Sequence, residues 1–135
     1  MKKKIAILGS TGSIGKSLIN ILKCDKKNIE IKLISANKNI NELLKQTKIF
    51  NVKNIIVSDY KKFIQLKKIL HNKKINIYNN FNSIDKIFHE NKIDYSMNAI
   101  SGLNGLNINS SSVLIISSLF LKFVLVVLSI ILYII

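Results

Sequence analysis

Two spacings of apolar residues alternate along this chain. Ile5-Ala6-Ile7-Leu8 is a continuous apolar run, the mark of a strand buried on both faces of a parallel sheet. Ile14, Leu18, Ile19, Ile21 and Leu22 then recur at helical spacing. Asp25-Lys26-Lys27-Asn28 makes a polar turn, and Ile29 to Ala36 suits a second strand. Asn37-Lys38-Asn39 turns the chain into a second amphipathic helix, with Asn39 as N-cap and Ile40, Leu43, Leu44, Thr47 and Phe50 on its apolar face. Asn54 to Val57 is a short third strand. Ser58 or Asp59 caps a third helix, apolar at Phe63, Ile64, Leu66, Ile69 and Leu70. Ile75 to Tyr78 is a fourth strand, Ser83 opens a short helix carrying Ile84, Ile87 and Phe88, and Tyr95 to Ile100 is a fifth strand. A glycine turn, Ser101-Gly102-Leu103-Asn104-Gly105, follows it. Alternation of this kind predicts an α/β fold, a doubly wound parallel sheet with helices on both faces.

From Val113 to Ile135 the alternation stops. The segment is apolar except for Ser117, Ser118, Lys122, Ser129 and the Tyr133 hydroxyl. As a helix rising about 1.5 Å per residue it reaches across a bilayer core of about 30 Å. The chain therefore divides into a domain over residues 1–106, a linker over 107–112 that holds Ser110-Ser111-Ser112, and an apolar C-terminal helix within 113–135.

Ligands of doubly wound sheets bind beyond the carboxyl ends of the strands, here the turns at Gly9, Asn37 and Ser101. The first is the most specific. Gly9, Gly12 and Gly15 follow an apolar strand and open a helix, the order of a Rossmann-like dinucleotide site, although the spacing is G-x-x-G-x-x-G. Gly9 permits a sharp reversal, Gly12 lets a pyrophosphate approach the backbone, and Gly15 lets the helix pack tightly. The free amides of the first helical turn and the helix dipole favour phosphate, and Ser10, Thr11 and Ser13 can add hydroxyl donors. In such folds an acid at the end of the second strand favours NAD, whereas a cation accommodates the 2′-phosphate of NADP. Ala36-Asn37-Lys38-Asn39 offers a lysine, and no acid occurs before Glu42, so the turn leans to NADP.

Composition changes this picture little. The net charge of +14 suggests a nucleic-acid partner, but all 21 basic residues are lysine and they are spread along the chain. The abundance of Lys, Asn and Ile fits A+T-rich codons, and no base-stacking aromatic motif accompanies the lysines. No specific nucleic-acid binding is expected. The one cysteine, Cys24, forms no internal disulfide and reads as a partly buried small apolar residue. Lys2-Lys3-Lys4 precedes only a short apolar run, so no secretory signal is read. The expected setting is cytoplasmic, with membrane contact through residues 113–135 as the alternative. Of the seven acids no two form a metal-type motif, and His71 and His89 stand isolated in lysine-rich helical surroundings. The catalytic residues and metal ligands read from this sequence are therefore none.

Gly9-Ser10-Thr11-Gly12-Ser13-Ile14-Gly15, the Asn37-Lys38-Asn39 turn and Asn98-Ala99-Ile100-Ser101-Gly102-Leu103-Asn104-Gly105-Leu106 together resemble the N-terminal NADPH-binding domain of the 1-deoxy-D-xylulose 5-phosphate reductoisomerase family. The resemblance covers about residues 3–106. It implies isomerisation and NADPH-dependent reduction of 1-deoxy-D-xylulose 5-phosphate to 2-C-methyl-D-erythritol 4-phosphate, in non-mevalonate isoprenoid synthesis. It implies that Thr11, Gly12, Ser13 and Ile14 hold the pyrophosphate, that Lys38 and Asn39 meet the 2′-phosphate, and that Ala99, Ile100 and Gly102 lie beside the nicotinamide. Asn37 stands where the family usually has glycine. The family's Asn-Lys-Glu-Ser segment, its acidic Mg²⁺ or Mn²⁺ site and its substrate-phosphate ligands have no counterpart here, so the resemblance implies a truncated, inactive copy; family members are often homodimers. Residues 113–135 then read as a shifted reading frame or a membrane anchor, the first preferred. A membrane-anchored, non-catalytic NADP(H)-binding module is the alternative function, and another NADP-linked oxidoreductase with the same turn is a third.

Overall fold

The computed structural model describes residues 1–100 and the strand Leu114–Ser117. The apolar run at the N-terminus forms β1 (Lys3–Leu8), and the glycine turn leads into α1 (Ser13–Lys23). Next come β2 (Ile29–Ala36), α2 (Ile40–Phe50), β3 (Asn54–Val57), α3 (Tyr60–Ile69), β4 (Asn76–Tyr78), α4 (Ile84–Asn91), β5 (Tyr95–Asn98) and β6 (Leu114–Ser117). The strands pair in parallel in the order β4-β3-β2-β1-β5-β6. The chain moves outward from β1 to β4, then returns to β1's other side at β5. That reversal creates a switch point between β1 and β5, where a crevice opens at the carboxyl ends.

The pleat explains the continuous apolar run. Ile5 and Ile7 face a core shared with Leu18 and Ile19 of α1, Leu43 of α2 and Leu66 of α3. Ala6 and Leu8 face the opposite side, with Leu33, Ile56 and the α4 residues Ile84, Ile87 and Phe88. Three helices thus cover one face and α4 the other, as crossovers of one hand demand when the strand order reverses. Asp94 ties the amino ends of the central strands together: its carboxylate accepts from the Lys4 amide at 2.7 Å, and its own amide donates to the Lys4 carbonyl at 2.9 Å. The expected caps form. Asn39 accepts from the Glu42 amide at 3.2 Å and Asp59 from the Lys62 amide at 3.0 Å. Ser83 is the N-cap of α4 but makes no side-chain cap bond.

Several details differ from the sequence reading. Ile21 and Ile69 are 54% and 49% exposed. Ile21 lies roughly 200° around the helix from Ile19, off the face that packs. Cys24 is exposed, because it caps the C-terminus of α1 where the helix leaves the sheet. β5 stops at Asn98, so Ala99 and Ile100 lie beyond the strand. The helix expected from residue 113 is overturned over Leu114–Ser117, which pairs with β5 from Tyr95↔Leu114 to Asn98↔Ser117. A uniformly apolar stretch shows neither period, the adjacent β-branched Ile115 and Ile116 favour a pleat, and β5 otherwise offers an open edge. The rest of the tail, with its membrane-spanning and shifted-frame readings, lies outside the described residues. Among the described residues no helix is long and apolar enough to cross a membrane.

Candidate functional site

The carboxyl ends of β1, β2 and β5 meet around a cleft of about 510 Å³, a size suited to a small-molecule ligand. Gly9, Thr11 and Gly12 form its floor. Gly9 has φ +78°, and a Cβ there would stand 2.9 Å from the Ala99 carbonyl and the Ile100 nitrogen. Only glycine lets the turn lie against the end of β5 in this way. The loop is pinned from beneath. The Gly9 amide donates to Ser35 Oγ at 2.9 Å, and the Ser10 amide donates to the Ser35 carbonyl at 2.9 Å. Gln46 Nε2 donates to the Ser10 carbonyl at 3.0 Å.

Gly12 is the N-cap of α1 and supplies no side-chain cap. Its own amide is bonded to the Gly9 carbonyl at 3.1 Å, and the first intrahelical amide to find a partner is Lys16, on the Gly12 carbonyl at 2.8 Å. The amides of Ser13, Ile14 and Gly15 therefore remain without a partner among the described residues. A helix mouth of this kind, with a bare glycine at its cap, fits a phosphate. Gly12 is extended, at φ −73° and ψ 173°, so alanine is allowed there. Its Cβ would sit 3.4 Å from the Gly9 carbonyl oxygen. Gly12→Ala is expected to leave the melting temperature within a few degrees of wild type while weakening dinucleotide binding about tenfold, since one methyl group occupies the approach path. Parallel thermal melts and ligand titrations check both halves.

The turn after β2 forms the second wall. Ser35, Ala36, Asn37, Lys38 and Asn39 line it. Lys38 is exposed: its carbonyl accepts from the Ile40 amide at 2.9 Å, while its ammonium has no hydrogen bond or ion pair among the described residues, whose ion pairs are Lys32–Glu30 and Lys86–Glu90. It also borders a groove lined by Lys61, Lys62 and Asp59, so lysines outnumber acids at this end of the cleft. Glu42, the nearest acid in sequence, is engaged elsewhere: its carboxylate accepts from Gln46 Nε2 at 3.3 Å. Asn37 is not among the positive-φ residues, so a side chain here carries no backbone strain. Ser58 adjoins this wall, its amide donating to the Ala36 carbonyl at 3.1 Å, and Phe81, Ala99 and Ile100 complete the lining.

The structure brings Gly9, Thr11, Gly12, Asn37, Lys38, Asn39, Ala99 and Ile100 to one cleft, with Ser13, Ile14 and Gly15 at the helix mouth beside it. Gly102 lies outside the described residues. Ser10 differs from expectation: it is fully buried, and its hydroxyl donates inward to the Ser35 carbonyl at 3.3 Å. Sequence reading missed Ser35, Ser58, Phe81 and Gln46. Gln46 carried a signal, since it sits three residues after Leu43 on the apolar side of α2. No group of three or more His, Cys, Asp or Glu that could hold a metal exists among the described residues, and His71 and His89 are exposed.

A family model described as 1-deoxy-D-xylulose 5-phosphate reductoisomerase matches residues 5–121, running past the motifs that end at Leu106 and taking in β6. The reductoisomerase of Pelagibacter ubique is 59% identical over 105 residues, covering 77% of this chain and 27% of the relative. That of Proteus mirabilis is 33% identical over 106 residues, again 77% of this chain and 27% of the relative. The chain thus spans about 27% of the length of these curated relatives. Among solved structures, the Zymomonas mobilis reductoisomerase in complex with NADPH superposes with a TM-score of 0.69 at 24% identity, over 78% of this chain and 28% of that one. A DOX-P reductoisomerase in complex with NADPH, fosmidomycin and magnesium gives 0.69 at 25% identity, over 77% and 26%.

Proposed function

Because the chain belongs to the 1-deoxy-D-xylulose 5-phosphate reductoisomerase family, we propose that its cleft holds NADPH as the hydride donor for the isomerisation and reduction of 1-deoxy-D-xylulose 5-phosphate. The pyrophosphate lies over Gly12 and takes hydrogen bonds from the amides of Thr11, Ser13 and Ile14. The 2′-phosphate meets Lys38 and the amide nitrogen of Asn39, whose carbonyl oxygen is already engaged by the Glu42 amide. Phe81, Ala99 and Ile100 give the rings an apolar wall, with Ala99 and Ile100 on the nicotinamide side. When bound, NADPH supplies the hydride; these residues bind and orient it.

The observation that carries this reading is the separation of two anion sites across one cleft. One is the run of amides from Ser13 to Gly15 just after Gly12, and the other is the Lys38 ammonium at the end of the neighbouring strand, both without a partner among the described residues. That is the charge pattern of NADPH. The family's metal ligands find no counterpart among the described residues, so we assign the hydride-donor half of the reaction to this chain and no step that polarises the sugar phosphate. Titration of the purified 135-residue chain is expected to show NADPH binding at least tenfold tighter than NADH, the additional contact being a charge-assisted one. Equal affinities overturn the assignment. The same preparation is expected to convert no 1-deoxy-D-xylulose 5-phosphate with Mg²⁺ supplied, and measurable NADPH oxidation with that substrate refutes the restriction to hydride-donor binding.

A further inference from the structure

Gln46 is 1% exposed, yet it is polar and lies in α2 against the underside of the glycine turn. Its amide nitrogen uses both hydrogens, one on the Ser10 carbonyl at 3.0 Å and one on the Glu42 carboxylate at 3.3 Å. Both partners are acceptors, so the side-chain amide has one permitted orientation. Its carbonyl oxygen is then left buried with no partner among the described residues, an arrangement that costs stability. A residue that strands half of its own amide in a core is there for the other half.

What that half does follows from peptide geometry. In a planar trans peptide the C=O and the following N–H point in opposite directions. Gln46 draws the Ser10 carbonyl inward, and the Ser10 amide and hydroxyl are held on the Ser35 carbonyl at 2.9 and 3.3 Å. The Ser10–Thr11 peptide therefore presents the Thr11 N–H outward, into the cleft that Thr11 lines. The Thr11 amide has no partner among the described residues.

We propose that Gln46 is a positioning residue that aims the Thr11 amide at the cofactor's pyrophosphate. Through Glu42, whose own amide is capped by Asn39, the same strut joins the pyrophosphate loop to the 2′-phosphate turn. The inference rests on the NADPH reading above and adds a residue that touches no ligand. Gln46→Leu replaces one buried side chain with another of similar volume. It removes the stranded oxygen and leaves the Ser10 carbonyl unpaired, two effects of opposite sign on stability.

The test is titration of the 135-residue wild-type and Gln46→Leu chains with NADPH and with adenosine 2′-monophosphate, which has the 2′-phosphate and no pyrophosphate, together with thermal melts. The expected result is NADPH affinity reduced about tenfold, unchanged affinity for adenosine 2′-monophosphate and a melting temperature within a few degrees of wild type. Gln46→Met, closest in shape, takes the place of Gln46→Leu if the latter does not fold. Unchanged NADPH affinity in a folded variant, or equal weakening of both ligands, overturns the role of Gln46 and leaves the NADPH reading standing. A wild-type chain that binds adenosine 2′-monophosphate and not NADPH overturns both.

Discussion

Gly15→Ala is expected to lower the melting temperature by about 10 °C or more, although it places the best helix former in a helix. Propensity alone favours alanine over glycine by about 1 kcal/mol in a helix interior. Sterics oppose it. A Cβ at Gly15 would overlap the Gly9 carbonyl oxygen and the Cα and carbonyl carbon of Ser10. These are backbone atoms, and the loop that carries them has no room to retreat. Gly9 is held on Ser35 Oγ and lies against Ala99, and Ser10 is bonded to the Ser35 carbonyl and to Gln46. Helix and loop must then separate, which strips Leu18 and Ile19 from the core they share with Ile5 and Ile7. Overpacking a site of this kind costs about 1–3 kcal/mol and often more when only backbone can yield. At about 4–8 °C per kcal/mol for a domain near 100 residues, the shift is large. Circular dichroism melts of Gly15→Ala and wild type decide the matter, and an unchanged or higher midpoint contradicts the packing argument. The three glycines thus differ: Gly9 serves conformation, Gly15 serves helix packing, and ligand approach is the role proposed for Gly12.

The strand–helix order was legible because β1 and β3 hold continuous apolar runs, β2 opens on a period of two, and each helix keeps a 3.6-residue stripe, so the two periods do not blur. Helix starts were legible where a capping side chain marks them, as at Asn39 and Asp59. Legibility ended where composition stops varying. In Leu114–Ser117 nothing in the local pattern separates strand from helix, and the deciding partner, the edge of β5, pairs at a separation of nineteen residues in sequence. It also ended at side-chain direction. Ser10 reads as a phosphate donor by residue type, but its hydroxyl is turned to the Ser35 carbonyl, and Ser35 had given no sign of its role. Lys38 was found by its position at a strand end, and Gln46 was missed because a polar residue on a helix is assumed to face water.

Lys38→Glu is expected to weaken NADPH binding about a hundredfold while changing NADH affinity no more than about threefold. In a chain with 21 lysines the sceptical view is that any of them would behave alike. The geometry says otherwise, because Lys38 lines the cleft at the end of β2 and has no ion pair to break among the described residues. Against a 2′-phosphate carrying about −1.5 to −2 charges, a charge-assisted hydrogen bond contributes about 1.5–3 kcal/mol. Reversal to glutamate removes that contact and adds repulsion, partly offset by Lys61 and Lys62 in the adjoining groove. NADH lacks the phosphate, and a carboxylate at this place can instead accept from its ribose hydroxyl. Lys45→Glu is the control: Lys45 is exposed on the same helix region, and its reversal changes the net charge identically without touching the cleft. Raising the salt from about 0.1 M to 1 M shortens the screening length from about 10 Å to 3 Å and so narrows the gap between Lys38→Glu and wild type. If Lys45→Glu weakens NADPH as much as Lys38→Glu does, the preference comes from overall charge and the β2–α2 turn does not select the nucleotide.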